Sequence, residues 1–295
     1  MARFGEVLTA MVTPFTPNGD LDLDGAVKLA KWLVAQGNDG LVVAGTTGEA
    51  STLTDEEQFS LVEAVSAAVT VPVIAGAGSN DTRHALALTA GMKARGAAAV
   101  LSVTPYYNRP GQSGIEAHFR AVCEATDLPV VIYDIPVRAG RKIAPEVLLR
   151  LAREVPNVVA LKDAAGDYPG TARLMSQAPA GFELYSGDDS MTLAFLTLGG
   201  VGVIGVATHW TAAEHKEMIT SFKKGDVERA RQLNARLVES FDFETGDANP
   251  NPIPSKAMLR TLGLPAGQCR LPLGDAPEGL EARAQAVMAN LQAHR

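Results

Sequence analysis

Cysteine is scarce in this chain: Cys123 and Cys269 are the only two among 295 residues. Two thiols cannot make a disulfide framework, and the plain expectation is a pair of reduced, buried cysteines in a cytoplasmic protein. Long apolar runs are missing as well. The longest, such as 97–103, is far short of the ~20 residues needed to cross a bilayer, so no membrane partner is expected. The opening stretch Met1-Ala2-Arg3-Phe4-Gly5-Glu6 places an acid early, with no long apolar segment behind it, which argues against a secretory signal. Lysine and arginine form no dense run and the formal net charge is -7, so nucleic acid is not an expected partner. The five histidines (His84, His118, His209, His215, His294) show no metal-ligand spacing. Gly76-Ala77-Gly78-Ser79-Asn80-Asp81 begins like a dinucleotide fingerprint, but Asp81 stands where the third glycine belongs. There is no P-loop lysine pattern, and no serine has a nucleophile-elbow context. The adjacent acids Asp188-Asp189 read as loop residues. Neither a metal nor a cofactor is expected.

What the chain does have is a regular alternation. Apolar residues make up 46% and charged residues 20%, an ordinary globular balance. Eight short runs rich in Val, Ile and Ala lie near 7–12, 41–44, 71–75, 98–103, 129–133, 158–162, 182–186 and 201–205. They are apolar on consecutive residues, which suits parallel strands buried on both faces. Helical signals fill the gaps. Leu23, Ala26, Val27, Ala30, Leu33 and Val34 recur at helical spacing, and Thr54-Asp55-Glu56-Glu57 reads as a capping box. Pro145 and Pro169 stand where helices can begin. This alternation predicts a (β/α)8 TIM barrel, with an open doubly wound sheet as the runner-up. After about residue 222 the strand pattern stops, and helical stretches follow near 226–241, 254–263 and 278–292. The predicted organisation is a catalytic barrel over 1–225 and a C-terminal three-helix region over 226–295, packed on the barrel.

Barrel enzymes carry their chemistry where strands end, and the polar residues of this chain collect at those places. Lys162 follows Val158-Val159-Ala160-Leu161 without interruption. An ammonium at the inner end of a buried strand loses hydration, which favours the neutral amine. A neutral amine attacks a ketone to form an imine, and the protonated imine acts as an electron sink. Position alone fits equally a lysine that snorkels into solvent. Tyr133 ends the neighbouring strand, and its phenol is suited to passing protons, with Thr46 and Tyr107 as hydroxyl partners. For a single tyrosine the alternative is an amphipathic core residue. Arg138, beyond Pro136, has the planar fork that holds a carboxylate, although a surface ion pair would also account for it. Gly45 and Gly48 bracket Thr46 and Thr47 in a turn that suits a small anion, or that merely joins strand to helix.

Together the motifs Gly45-Thr46-Thr47-Gly48-Glu49, Thr104-Pro105-Tyr106-Tyr107-Asn108-Arg109-Pro110, Tyr133-Asp134-Ile135-Pro136-Val137-Arg138-Ala139-Gly140 and Leu161-Lys162-Asp163 resemble the dihydrodipicolinate synthase family. That family belongs to the pyruvate-dependent class I aldolases, which include N-acetylneuraminate lyase. The resemblance extends to Asn251-Pro252-Ile253-Pro254 in the tail. It implies a condensation of pyruvate with aspartate 4-semialdehyde on a covalent imine at Lys162. It also implies a relay of Tyr133, Thr46 and Tyr107, with Tyr107 supplied by a neighbouring subunit. Thr47 would bind the pyruvate carboxylate and Arg138 that of the second substrate. Gly187 and Ile204 would line the site through their backbone. The implied assembly is a homo-oligomer, a dimer of tight dimers. Asn80, His84 and Tyr106 fall at positions of an allosteric pocket, where Ala50, Asp55, Gln58 and His84 replace the Ser, His, His and Glu expected of lysine-inhibited members. That departure implies weak or absent feedback inhibition. A sugar-acid aldolase or dehydratase and a non-catalytic keto-acid-binding barrel remain the competing readings.

Overall fold

The computed structural model describes residues 2–293, so His294 lies outside the described residues. Eight parallel strands close into a barrel in sequential order. They are β1 (Val7–Ala10), β2 (Gly40–Val43), β3 (Val73–Gly76), β4 (Ala99–Val103), β5 (Val130–Asp134), β6 (Val158–Asp163), β7 (Glu183–Ser186) and β8 (Gly202–Gly205). Each overlaps one of the eight apolar runs. Closure occurs where β1 pairs with β8, with Leu8 opposite Ile204 and Thr9 opposite Gly205. An open sheet is therefore excluded.

The uninterrupted apolar character of the strands now has a cause. Alternate residues face opposite sides of a strand. Leu8, Val42, Ile74, Leu101, Val131 and Ile204 point into the barrel interior. Val43, Ala75, Val100, Ile132, Leu161 and Leu184 point outward into the layer beneath the helices. Both faces are dry, so both need apolar side chains.

Helix starts follow the expected chemistry. The Thr54 side chain accepts from the Glu57 N–H at 3.2 Å, while the Glu57 carboxylate accepts from the Thr54 N–H at 2.9 Å. Such a cap contributes about 1 kcal/mol. Pro145 opens the helix Pro145–Glu154, and Pro169 is the second residue of Tyr168–Met175. The helix Leu23–Ala35 differs from expectation in one respect. It buries Gly25, Ala26, Leu29, Ala30 and Leu33, whereas Leu23 is exposed. The first residue of the helix precedes the turn that meets the core.

Beyond the barrel lie the helices Val227–Glu244, Ile253–Thr261 and Leu280–Ala293. Leu280, Ala284, Val287 and Leu291 are buried as one stripe. They share an apolar cluster with Trp210 and Met218 of the helix Thr208–Lys223 that follows β8. The tail thus packs on the last helix of the barrel. Cys123 and Cys269 are buried and free. Among the described residues, no helix is long and apolar enough to cross a membrane. Nor does any group of three or more His, Cys, Asp or Glu among them stand where it could hold a metal ion.

Candidate active site

Tyr133 on β5 lies in register with Lys162 on β6. Equal register sends both side chains to the same face, here the inner one. Lys162 is 4% exposed, so the snorkelling alternative fails. Its Nζ stands 4.3 Å from the centroid of the Tyr133 ring, and among the described residues no hydrogen bond or ion pair reaches it. Burial lowers its pKa to about 8, against an opposing pull from Asp189 and Glu244. Burial also pushes the Tyr133 phenol up, while the Arg138 cation and a hydrogen bond with Thr46 act the other way. The result is an amine ready to lose its proton beside a phenol that keeps its own.

The turn after β2 brings in the hydroxyl residues. Ala44 and Glu49 both take a left-handed φ of 55°, and the Ala50 N–H donates to the Gly45 carbonyl at 3.2 Å. Thr47 is then fixed from the tail: Asn251 Nδ2 donates to its Oγ1 at 2.9 Å. The Asn251 carbonyl accepts from Arg138 Nη2 at 3.1 Å. One tail residue therefore positions Thr47 and Arg138 together. On the other side, the Gly187 N–H donates to the Asp163 carbonyl at 2.7 Å. A Cβ at Gly187 would lie 3.0 Å from Lys162 Cγ, so a side chain there would crowd the lysine.

Thr46, Thr47, Tyr133, Arg138, Lys162 and Gly187 line one cavity of about 590 Å³. Ile204 does not reach its wall. It is wholly buried inside the barrel, and the cavity takes Val206 from the end of β8 instead. Tyr107 is not brought to the cavity either. It is 88% exposed, at a left-handed φ of 71°. His84 and Tyr106 line a second cavity of about 330 Å³ that shares Thr46, Tyr133 and Arg138 with the first. His84 is engaged there by Asp55 Oδ1 at 2.8 Å and Ser79 Oγ at 3.1 Å. Asn80 is not in that wall, and its carbonyl accepts from Asn108 Nδ2 at 2.9 Å.

Two groups near the lysine had no role in the sequence reading. Asp188 and Asp189 are not equivalent loop acids: Asp188 is exposed, while Asp189 is wholly buried and accepts from the Val206 N–H at 2.7 Å. Glu244, at the end of the helix Val227–Glu244, is buried and accepts from the Ala207 N–H at 2.6 Å. No local pattern marks either. Asn251 had a signal, since it opens the motif Asn251-Pro252-Ile253-Pro254.

A dry amine, a neutral phenol with a hydroxyl beside it, and a guanidinium at the mouth make up the chemistry of an imine-forming site for small keto acids. Comparison with known proteins agrees. The sequence profile of the dihydrodipicolinate synthetase family matches residues 3–293. The chain is 48% identical to the 4-hydroxy-tetrahydrodipicolinate synthase of Acidothermus cellulolyticus over 292 residues, covering 98% of this chain and 92% of that one. It is 47% identical to the synthase of Symbiobacterium thermophilum over 291 residues, covering 98% of each. Among solved structures, dihydrodipicolinate synthase from Cyanidioschyzon merolae with lysine bound superposes with a TM-score of 0.96 at 43% identity, covering 99% of both chains. The chloride-inhibited synthase of Acinetobacter baumannii, complexed with pyruvate, gives a TM-score of 0.92 at 34% identity, covering 98% of this chain and 99% of that one.

Proposed function

The chain belongs to the dihydrodipicolinate synthetase family, and on that premise we propose that it condenses pyruvate with aspartate 4-semialdehyde to 4-hydroxy-tetrahydrodipicolinate, in lysine and diaminopimelate biosynthesis. The observation that carries this reading is Lys162, buried and unpaired against the Tyr133 ring.

The neutral Nζ attacks the ketone carbon of pyruvate, and Tyr133 protonates the departing oxygen as water leaves. The protonated imine is the electron sink, so no cofactor is required. A proton from the pyruvate methyl passes into the Tyr133–Thr46 relay and leaves an enamine. The enamine carbon bonds to the aldehyde carbon of the second substrate, whose oxygen takes up a proton. The amine of that substrate then attacks the imine carbon, closes the ring and expels Lys162. Thr47 holds the pyruvate carboxylate. Arg138 holds the carboxylate of the semialdehyde through paired N–H donors.

Tyr107 completes the relay of a neighbouring protomer in a tight dimer, and two such dimers make the homotetramer. Exposure of Tyr107 at 88% supports an interface there. The enzyme works in the cytoplasm. His84, already held by Asp55 and Ser79, offers no carboxylate to a lysine ammonium in the second cavity, so feedback inhibition is weak or absent. Inhibition by millimolar L-lysine would overturn that point.

Borohydride reduction in the presence of pyruvate, followed by peptide mass spectrometry, tests the core of the proposal. A reduced pyruvyl adduct on Lys162 is expected, and its absence would sink the reading. Turnover with aspartate 4-semialdehyde but not with N-acetylmannosamine separates the synthase from a sugar-acid aldolase.

A further inference from the structure

Two carboxyl groups from distant parts of the chain meet at the end of β8. Asp189 Oδ2 accepts from the Val206 N–H at 2.7 Å, and Glu244 Oε2 accepts from the next N–H, that of Ala207, at 2.6 Å. Both side chains are buried, and the consecutive N–H groups that hold them bring the two carboxyl groups side by side. The absence of a side chain at Gly205 makes room, since a Cβ there would lie 2.3 Å from Asp189 Oδ1. That Oδ1 faces His215 Nε2 at 3.5 Å, and neither atom has a hydrogen-bond partner. His215 Nδ1 lies 3.0 Å from the Thr211 carbonyl. Nδ1 is therefore the nitrogen that carries the proton, and in the neutral ring Nε2 is a bare acceptor. Without a proton between them they would be two like charges buried side by side.

We infer that Asp189 and Glu244 share a single proton, and that the one negative charge they keep is the counter-charge that positions and tunes Lys162. Glu244 lines the cavity onto which Lys162 opens, and both groups favour the charged form of Lys162. In return, burial first, then Asp189 and Asp188, push Glu244 well above the usual carboxylate range. The other titratable groups around the pair are Lys162 on β6, Asp188 beside Asp189, His215, and His209, which burial lowers to about 4 and so keeps neutral. One negative charge matches the one positive charge that Lys162 carries, first as ammonium and then as protonated imine. Two would hold the amine protonated and suppress its attack. None would leave the imine cation unopposed. Asp189 and Glu244 are thus positioning residues that act through Lys162, and Glu244 makes the reactivity of the lysine depend on the C-terminal tail.

The inference rests on Lys162 as the imine-forming amine. Its test is the pH dependence of borohydride-trapped pyruvate adduct formation in wild type, Glu244→Gln, and Glu244→Gln with Asp189→Asn. With a shared proton, Glu244→Gln removes the neutral partner and leaves the charge on Asp189, so the inflection stays within about 0.3 pH unit of wild type. The double variant loses that charge, and the inflection falls by about one unit or more. A single variant that already shifts by half as much as the double would show two independent charges and overturn the inference. An unshifted double variant would overturn it too, while leaving the imine reading intact. No adduct in wild type at any pH would overturn both. A second measurement needs no double variant. At pH 8, where Asp134, raised by burial to about 6, is ionised, wild type should show a carboxylic-acid C=O infrared band that Glu244→Gln lacks. A wild-type spectrum without that band would refute the shared proton.

Discussion

Two buried lysines meet opposite fates in this chain. Lys256 is 1% exposed, with Nζ 4.1 Å from the Phe15 ring centroid. Lys162 is 4% exposed, with Nζ 4.3 Å from that of Tyr133. Burial lowers the pKa of both. They differ in what offsets the burial. Lys256 ion-pairs with Glu49 at 2.5 Å and donates to the Gln268 carbonyl at 2.9 Å. Glu49 also accepts from the Arg270 N–H at 2.9 Å. The pair clasps the tail to the turn after β2, close to the two threonines that line the cavity. Among the described residues Lys162 has no such partner, and it opens onto that cavity. A paired buried charge stays a charge and holds structure together, whereas an unpaired one tends toward its neutral, nucleophilic form. Burial alone does not identify a catalytic lysine; unpaired burial beside a cavity does.

The sharpest way to break this contrast is Lys162→Ala. Turnover should fall by at least about a thousand-fold, with no borohydride adduct and a melting temperature close to wild type. An adduct that moved to Lys256 would show that pairing does not silence a lysine. Next in size is Lys256→Met, which leaves the Glu49 carboxylate buried without its partner. Urea denaturation should show a loss of about 3–5 kcal/mol, and adding Glu49→Leu should recover much of it. The fraction that remains folded should still form the pyruvate adduct. Arg138→Ala should raise KM for aspartate semialdehyde by about 10- to 100-fold, the worth of one charged hydrogen-bonded contact, without slowing imine formation. Equal loss of both would make Arg138 a structural residue, like the clasp. The smallest effect is in pH dependence. Only the neutral amine attacks, so imine formation should gain as pH rises through about 8 and fall by up to about tenfold per unit below it. An inflection near that of an ordinary exposed lysine would mean that Lys162 is not desolvated.

Much of the fold was legible because each signal is local. The apolar runs, the Thr54 box and Pro145 report on neighbours a few residues away, and the strands and helices appear where those signals stand. The site was legible in part. Lys162, Tyr133, Thr46, Thr47, Arg138 and Gly187 converge on one cavity because each ends a strand or follows one. Tyr107, which the sequence reading assigns to a neighbouring subunit's relay, is exposed outside this cavity, at a left-handed backbone position. Ile204 lies on β8 but within the packed interior. Asp189 reads as half of a loop pair, and Glu244 lies just past the predicted helical stretch 226–241 with no signal of its own. Nothing local distinguishes a carboxylate that meets a partner far along the chain from one that meets water.

By itself the sequence determined the eight strand–helix units, their order along the chain and the residue types at the strand ends, while closure into a barrel took the pairing of β1 with β8. Side-chain alternation and helical period are properties of a short stretch of backbone, so the order of residues is enough to set them. Only the tertiary structure decided which charges are paired. Lys162 and Lys256 are the same residue type, and both are buried. One meets Glu49 across about two hundred positions of chain, and the other meets the Tyr133 ring with Asp189 and Glu244 behind it. The protonation state of a buried group depends on the dielectric and the charges within a few ångströms of it, and those neighbours are assembled only when the chain closes.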